Sequence, residues 1–269
     1  MAQTDIIFKN TLQEILEQEW EVDNRATWED GTPVMTKRIF GVVNTYDLSK
    51  EFPALTLKPT FLKGTFREDD WIYRQRSNNV HDLKTRIWDA WADETGSIGK
   101  AYAYQVNKPV FGYDNQMDYI LGEIKKNPTS RRLIIELWNV NELHEMNLPP
   151  CCHHLQFVVK DNKLNLLLKQ RSSDFITANN WNVVQYTLLT HMVARHCGLE
   201  VGFLKHIIGD CHIYNKHLEQ AEELMKREPL PAPTLWINPE VTDFYEFTED
   251  DFRLENYQKH PQLKIEVAV

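Results

Sequence analysis

Residues 148–174 of the chain read LPPCCHHLQFVVKDNKLNLLLKQRSSD, and this stretch decides the fold. Two apolar runs within it, 155–159 and 164–169, predict a pair of strands joined by a short turn. Directly before the first strand, two rigid prolines precede a cysteine, Cys151. Close downstream lies Arg171, whose positive charge would favour the reactive thiolate over the neutral thiol. The stretch therefore predicts an activated thiol nucleophile.

The size and composition of the chain are those of a soluble globular protein. It has 269 residues, of which 42% are hydrophobic and 26% charged. No repeat, low-complexity segment or Gly/Ser linker divides it, so we expect one domain over residues 1–269. No apolar run is long enough to span a bilayer and no signal peptide opens the chain, so no membrane partner is expected.

The cysteines indicate the cellular compartment, and the net charge limits the kinds of ligand that the protein can bind. Two adjacent and two scattered cysteines (Cys151, Cys152, Cys197 and Cys211) do not form a secreted disulfide framework, which favours the cytoplasm. The formal net charge of -9 argues against a DNA-binding or membrane-binding surface. An anionic ligand would need a local arginine cluster to hold it against the overall field.

The succession Cys151-Cys152-His153-His154 contains four residue types that bind zinc. Consecutive residues of an extended segment point to opposite faces, whereas the ligands of a metal site must converge. We therefore expect no metal site here.

Periodic patterns predict an α+β fold, with strands in a mixed sheet and helices packed on it. One helix begins near Thr4, Asn179 could cap another that runs to His196, and residues 209–214 read as a strand-to-helix junction. The remaining predicted elements are helices at 117–126 and after Tyr214, and strands at 133–138, 155–159 and 164–169.

Four further groups of residues are candidates for a site, although each has an ordinary structural explanation. Glu68, within Arg67-Glu68-Asp69-Asp70, either belongs to a solvated helix face or points into a cavity and manages protons. Trp88 and Trp91 either pack in the core or form a wall for a flat ligand. The pair Arg131-Arg132 and the single Arg25 are either surface charges or phosphate ligands.

Taken together, these segments resemble the thymidylate synthase family along nearly the whole chain. The nucleophile motif is matched by Leu148-Pro149-Pro150-Cys151, and the QRSxD segment by Gln170-Arg171-Ser172-Ser173-Asp174. The other matching segments, in the order of the family, are 87–91, the arginine pair at 131–132, GDCHIY at 209–214 and the final Val267-Ala268-Val269. Residues 235–240 look most like a Bacillus-type branch.

The resemblance implies a thymidylate synthase-like fold and a reductive methylation of dUMP to dTMP. Cys151 would attack C6 of the uracil, Arg171 would activate the thiol, and Asn182 would read the uracil edge. Glu68 would organise a water network and Tyr102 would assist removal of the C5 proton. Arg131 and Arg132 would reach the partner's site in a sheet-mediated homodimer. The implied catalytic residues are Cys151, Glu68, Tyr102, Arg171, Asp174 and Asn182, and the implied dUMP ligands are Arg25, Arg131, Arg132, Arg171, Ser172, Asp174, Asn182, His212 and Tyr214.

The second substrate implied is 5,10-methylenetetrahydrofolate, which donates first the methylene carbon and then a hydride. Its pocket would be lined by Trp88, Trp91, Asp174, Ala178 and Val269. Trp88 and the tail would keep water from the methylene intermediate until the hydride arrives.

Three departures from the family pattern lie mostly on the folate side. Asp69 and Asp70 replace two leucines after the glutamate, and would raise the pKa of Glu68 if they face inward. Residues 178–181, Ala-Asn-Asn-Trp, replace a glycine and Leu-Pro-Phe, which suggests a more polar pocket. Ala103 replaces a glycine after the tyrosine.

These departures keep two alternatives open. A dUMP hydroxymethylase would let water quench the methylene intermediate, giving 5-hydroxymethyl-dUMP and tetrahydrofolate. A non-catalytic paralogue would bind the nucleotide without turnover. Trp88 and the Val267-Ala268-Val269 tail favour hydride transfer, Asn182 favours uracil over cytosine, and the retained nucleophile opposes the paralogue.

Overall fold

The structure is a computed structural model that describes residues 1–28 and 30–265, the side chains of 24–27 excepted. The strands are β1 (Glu21–Thr27), β2 (Pro33–Asp47), β3 (Ile134–Glu136), β4 (Cys152–Lys160), β5 (Lys163–Asp174), β6 (Glu200–Tyr214), β7 (Thr234–Ile237) and β8 (Phe252–Glu255). The α-helices are α1 (Gln3–Leu16), α2 (Leu62–Asp69), α3 (Ala103–Val106), α4 (Gln116–Lys126), α5 (Asn179–Cys197) and α6 (Leu218–Lys226), and a π-helical turn, Asp70–Gln75, continues α2.

The first six strands form one mixed sheet in the order β1-β2-β6-β5-β4-β3, and β7 pairs with β8 separately. Strands β5 and β6 run parallel, whereas the other neighbouring pairs are antiparallel. A parallel pair needs a crossover connection, which α5 supplies. The α+β architecture with a mixed sheet, expected from the sequence, is confirmed.

The hairpin of β4 and β5 is the predicted one. Its turn residues Asp161 and Asn162 have positive φ angles of 51° and 59°. Two successive positive φ angles match a tight two-residue turn, for which Asn and Asp are among the favoured residues. The pairing then sets Cys152 opposite Gln170.

The same register gathers the ends of three strands. Ser172 lies opposite Asp210 and Asp174 opposite His212 across the parallel pair. The beginning of β4 and the ends of β5 and β6 therefore meet at one edge of the sheet, beside the start of α5.

One face of the sheet carries exposed apolar side chains. Val43 of β2 is 57% exposed, and Val158 of β4 and Phe203 of β6 are each 44% exposed. Because Val43 pairs with Ile207, four residues along β6 from Phe203, the alternation of side chains places Val43 and Phe203 on the same face. The helix α5, by contrast, is buried along most of its length in the main core.

Two sequence predictions of local structure are wrong. Residues 209–214 are the last part of the long strand β6, not a junction, because they continue the pairing with β2. Asn179 is the first residue of α5 and not its cap. Ala178 occupies the cap position, and no side chain makes a capping hydrogen bond there. No helix among the described residues is both long and apolar enough to cross a membrane.

Candidate active site

A cavity of about 520 Å³ lies where the three strand ends meet the start of α5. Twelve of the residues singled out in the sequence line it, from α2 at Glu68 to the end of β6 at Tyr214. They are Glu68, Trp88, Trp91, Tyr102, Cys151, Arg171, Ser172, Asp174, Ala178, Asn182, His212 and Tyr214.

Cys151 and Arg171 are tied together through the backbone. The Arg171 N–H donates to the carbonyl oxygen of Cys151 at 2.8 Å. Its guanidinium donates to the carbonyl oxygens of Pro149 at 2.8 Å and Pro150 at 3.1 Å. The prolines thus bring a fixed cation beside the segment that carries the half-buried thiol. The backbone N–H of Cys151 donates to the hydroxyl of Tyr102 at 2.9 Å.

Cys152 is unsuited to act as the nucleophile. Its side chain is buried, and burial raises the pKa of its thiol well above the ordinary value. A buried neutral thiol is unreactive, so the geometry favours Cys151. Burial also raises the pKa of the Tyr102 hydroxyl well above its usual value, which keeps that hydroxyl neutral.

The amide of Asn182 is oriented by two neighbouring glutamines. Gln170 Nε2 donates to Asn182 Oδ1 at 3.1 Å, and Asn182 Nδ2 donates to Gln185 Oε1 at 3.5 Å. Gln170 is in turn fixed, because its Oε1 lies 2.7 Å from the Nε2 of buried His206. Burial lowers the pKa of His206 to about 3, so its ring is neutral and Nε2 carries the proton. Asn182 keeps one acceptor lone pair and one N–H for a ligand.

His212 and Tyr214 line the same end of the cavity, with ring centroids 5.0 Å apart. The Nδ1 of His212 lies 2.7 Å from Asp210 Oδ1, and its buried Nε2 has no partner among the described residues. An unpartnered ring nitrogen in a cavity wall suits a ligand hydroxyl. Asp174, which also lines the cavity, accepts from the backbone N–H groups of Ile176 at 3.2 Å and Thr177 at 3.3 Å.

The expected arginine cluster is only partly present within one chain. Arg171 and Ser172 border both the main cavity and an adjoining one of about 330 Å³. Arg131 and Arg132 are exposed and line a separate cavity. The Arg25 side chain lies outside the described part of the chain, as does Val269.

Glu68 sits between two tryptophans. Trp88 Nε1 donates to Glu68 Oε1 at 2.6 Å, and Trp181 Nε1 donates to Oε2. Burial raises the pKa of Glu68, and the two indole bonds lower it. Of the extra carboxylates, Asp69 is fully buried while Asp70 pairs with Arg74 at 2.8 Å. Burial, and after it the charges of Glu68 and Asp70, raise the pKa of Asp69 well above 3.8.

The loop before Asn182 does not make the cavity more polar, contrary to the sequence prediction. Ala178 and Trp181 line the cavity, but Asn179 and Asn180 are buried behind it. Asn180 accepts from Thr60 Oγ1 at 3.0 Å and donates to the carbonyl oxygen of Pro53 at 3.0 Å. Asn180 therefore anchors the segment before α2, and the change at the cavity wall is the indole of Trp181.

Sequence reasoning missed several residues around the cavity. In the sequence, Trp181 stands out only as a departure from the family pattern, and no motif indicates a role for the side chain of Gln170 or of Gln185. Lys58 was missed as well: it is buried, it donates to the carbonyl oxygen of Ile176, and burial lowers its pKa to about 8. A lysine at the end of the apolar run 52–57 was the available signal. The sequence carries no signal for the contact between Trp181 and Glu68, because 113 residues separate the two.

The two histidines that follow Cys152 lie against a carboxylate of the neighbouring strand. His153 Nδ1 lies 3.4 Å and His154 Nδ1 2.8 Å from the carboxylate of Glu136. Burial raises the pKa of that carboxyl, but hydrogen bonds from both histidines bring it down to about 2. Within the described residues no group of three or more His, Cys, Asp or Glu side chains converges to hold a metal.

Comparison with known proteins shows the family of the chain. Residues 6–269 match the family model described as thymidylate synthase. The chain is 43% identical to a thymidylate synthase of Bacillus mojavensis and 41% identical to thymidylate synthase 1 of Bacillus subtilis strain 168, with 100% of each chain covered. The solved structure of thermostable thymidylate synthase A from Bacillus subtilis matches with a TM-score of 0.93 and 41% identity, covering 99% of both chains. The chain belongs to the thymidylate synthase family.

Proposed function

We propose that the protein is a thymidylate synthase, a methyltransferase that acts as one catalytic domain over residues 1–269 and converts dUMP to dTMP. Its one-carbon and hydride donor is 5,10-methylenetetrahydrofolate. The strongest support is the single cavity in which the Cys151 segment, Arg171 and the oriented Asn182 amide meet.

Cys151 starts the reaction by adding as thiolate to C6 of the uracil. The electron pair of the C5–C6 double bond moves to C5, which then attacks the methylene carbon of the folate. One of the two carbon–nitrogen bonds of that carbon breaks, and the released nitrogen keeps the electron pair and takes up a proton. Removal of the C5 proton, assisted by Tyr102, expels the tetrahydrofolate nitrogen and leaves an exocyclic methylene. Hydride from tetrahydrofolate reduces that carbon to a methyl group, Cys151 departs from C6, and dihydrofolate is released.

Asn182 selects uracil. The free lone pair on its Oδ1 accepts from N3–H and the free N–H on Nδ2 donates to O4. A flipped amide, as cytosine would need, would set Nδ2 against the donor of Gln170 and Oδ1 against the acceptor of Gln185. His212 and Tyr214 bind the sugar hydroxyl, and Ser172, Asp174, Arg25 and Arg171 complete the dUMP site.

On the folate side, Trp88, Trp91, Asp174, Ala178 and Val269 hold methylenetetrahydrofolate. The rings of Trp88 and Trp91 meet edge to face at 5.6 Å, beside the Glu68 carboxylate. A flat pterin suits an aromatic wall of this kind. The same rings exclude water while hydride is transferred.

The enzyme works as a homodimer in which Arg131 and Arg132 enter the partner's site. Their exposure and their distance from the cavity of their own chain support this arrangement. The exposed apolar side chains of Val43, Val158 and Phe203 on one sheet face are suited to an isologous interface. The four cysteines form no disulfide within the described part of the chain, which is consistent with work in the cytoplasm.

The function is tested by incubating the protein with dUMP and methylenetetrahydrofolate and weighing the nucleotide product. We expect a methyl product together with dihydrofolate. A hydroxymethyl product with tetrahydrofolate would instead show that the protein is a dUMP hydroxymethylase. The absence of any product would favour a paralogue that binds the nucleotide without turnover.

The shared site is tested by mixing two inactive variants, Cys151→Ser and Arg131→Ala, under conditions that exchange subunits. Because one site of the mixed dimer carries neither defect, we expect up to about a quarter of the wild-type activity. Activity no higher than that of the separate variants would contradict the shared site.

A further inference from the structure

Both oxygens of the Glu68 carboxylate are occupied by indole N–H groups. Trp88, in the loop between α2 and α3, binds one oxygen at 2.6 Å, and Trp181 of α5 binds the other. Glu68 itself is 6% exposed, on α2. Three separate segments thus converge on a single carboxylate.

A glycine makes room for Trp181. Gly64 lies one turn before Glu68 on α2, so the two residues share a helix face. A Cβ at Gly64 would lie only 2.6 Å from the indole ring of Trp181. The indole can therefore lie against the helix and reach Glu68 only because position 64 has no side chain.

We infer that Trp181 is a positioning residue: its indole N–H fixes the Glu68 carboxylate against Trp88 and aims the remaining lone pairs into the cavity. This inference rests on the proposed function only for the consequence of the contact, which is the organisation of the water network by Glu68. The hydrogen bond between Trp181 and Glu68, and the space for the indole at Gly64, are observed in the structure whatever the reaction.

The hydrogen bond from Trp181 has a measurable effect on the pKa of Glu68. Hydrogen bonds to a carboxylate favour its charged form, and burial disfavours it. The titratable groups that interact with Glu68 include its neighbour Asp69 together with Tyr73, Tyr102 and Cys152, and burial raises the pKa of all four. The indole N–H groups of Trp181 and Trp88 act in the opposite direction to burial, because their hydrogen bonds lower the pKa of Glu68.

The test replaces Trp181 by Phe, which keeps an aromatic ring and removes the N–H. We expect the Glu68 inflection in the pH profile of kcat to move upward by about one pH unit, the effect of losing one hydrogen bond to a charged group. Difference infrared spectroscopy of the carboxyl C=O band, identified by its loss in Glu68→Gln, should show the same shift without turnover.

Two further variants keep the test decisive. Gly64→Ala displaces the indole and should move the inflection in the same direction, even where Trp181→Phe folds poorly. Trp236→Phe removes an indole on β7 that stacks on Arg253, and should leave the inflection unchanged.

An unchanged infrared inflection in Trp181→Phe, or an equal shift in Trp236→Phe, would overturn the inference. Failure of the proposed function would appear differently, as absence of dTMP from the unmodified protein, while the infrared titration would still report on the contact.

Discussion

The two walls of the cavity are built in different ways. The pyrimidine wall, formed by Cys151, Arg171, Ser172, Asn182 and His212, comes from the edge of the sheet and the start of α5. The glutamate wall, formed by Glu68, Trp88 and Trp181, comes from three segments far apart in the chain. Strand register fixes the first wall, and side-chain packing fixes the second. The departures from the family pattern fall on the second.

The largest effect should come from Cys151→Ser in the pyrimidine wall. A serine hydroxyl stays protonated near neutral pH, and Arg171 cannot convert it into a comparable nucleophile, so we expect kcat to fall at least ~10³-fold. Dihydrofolate formation measures the loss. The matched control is Cys152→Ala, which removes the buried neighbouring thiol and should lower stability more than turnover. Activity of Cys151→Ser within tenfold of wild type would contradict the assignment.

A smaller effect, on specificity, is expected from Asn182→Asp. An ionised carboxylate offers no N–H to O4 of uracil but can accept from the amino group of cytosine. We expect kcat/KM for dUMP to fall ~10²-fold and the ratio of dCMP to dUMP use to rise. Asn10→Asp makes the same substitution at an exposed position of α1 and serves as control. An unchanged ratio would show that the amide does not select the base.

The difference between the walls also explains what the sequence could predict. The hairpin of β4 and β5 is local, its turn residues are typical, and its register sets Cys152 opposite Gln170 without help from distant segments. The contact between Trp181 and Glu68 depends on the packing of α5 against α2 and on the absence of a side chain at Gly64. Neither periodicity nor a motif carries that information. The sequence therefore predicts a more polar cavity wall at residues 178–181, whereas the side chains of Asn179 and Asn180 are buried away from the cavity.

The smallest effect concerns stability and the buried Asp69 behind the glutamate wall. Burial raises the pKa of Asp69 well above 3.8, against the smaller lowering effects of Arg74 and of a hydrogen bond with Gln185. An unfolded chain ionises this group above about pH 4, whereas the folded chain keeps the proton. Asp69 therefore lowers the free energy of unfolding as the pH rises from 4 through the folded pKa.

We expect Asp69→Asn to raise the free energy of unfolding by about 1–3 kcal/mol near pH 7, since it removes the cost of keeping a buried carboxyl group from ionising. Near pH 4 the difference from wild type should be small. Urea unfolding at both pH values measures it. Asp70→Asn removes the same charge from a partly exposed pair with Arg74, and should not stabilise the protein. A gain of equal size at both pH values would show that packing, not the ionisation of Asp69, limits this wall.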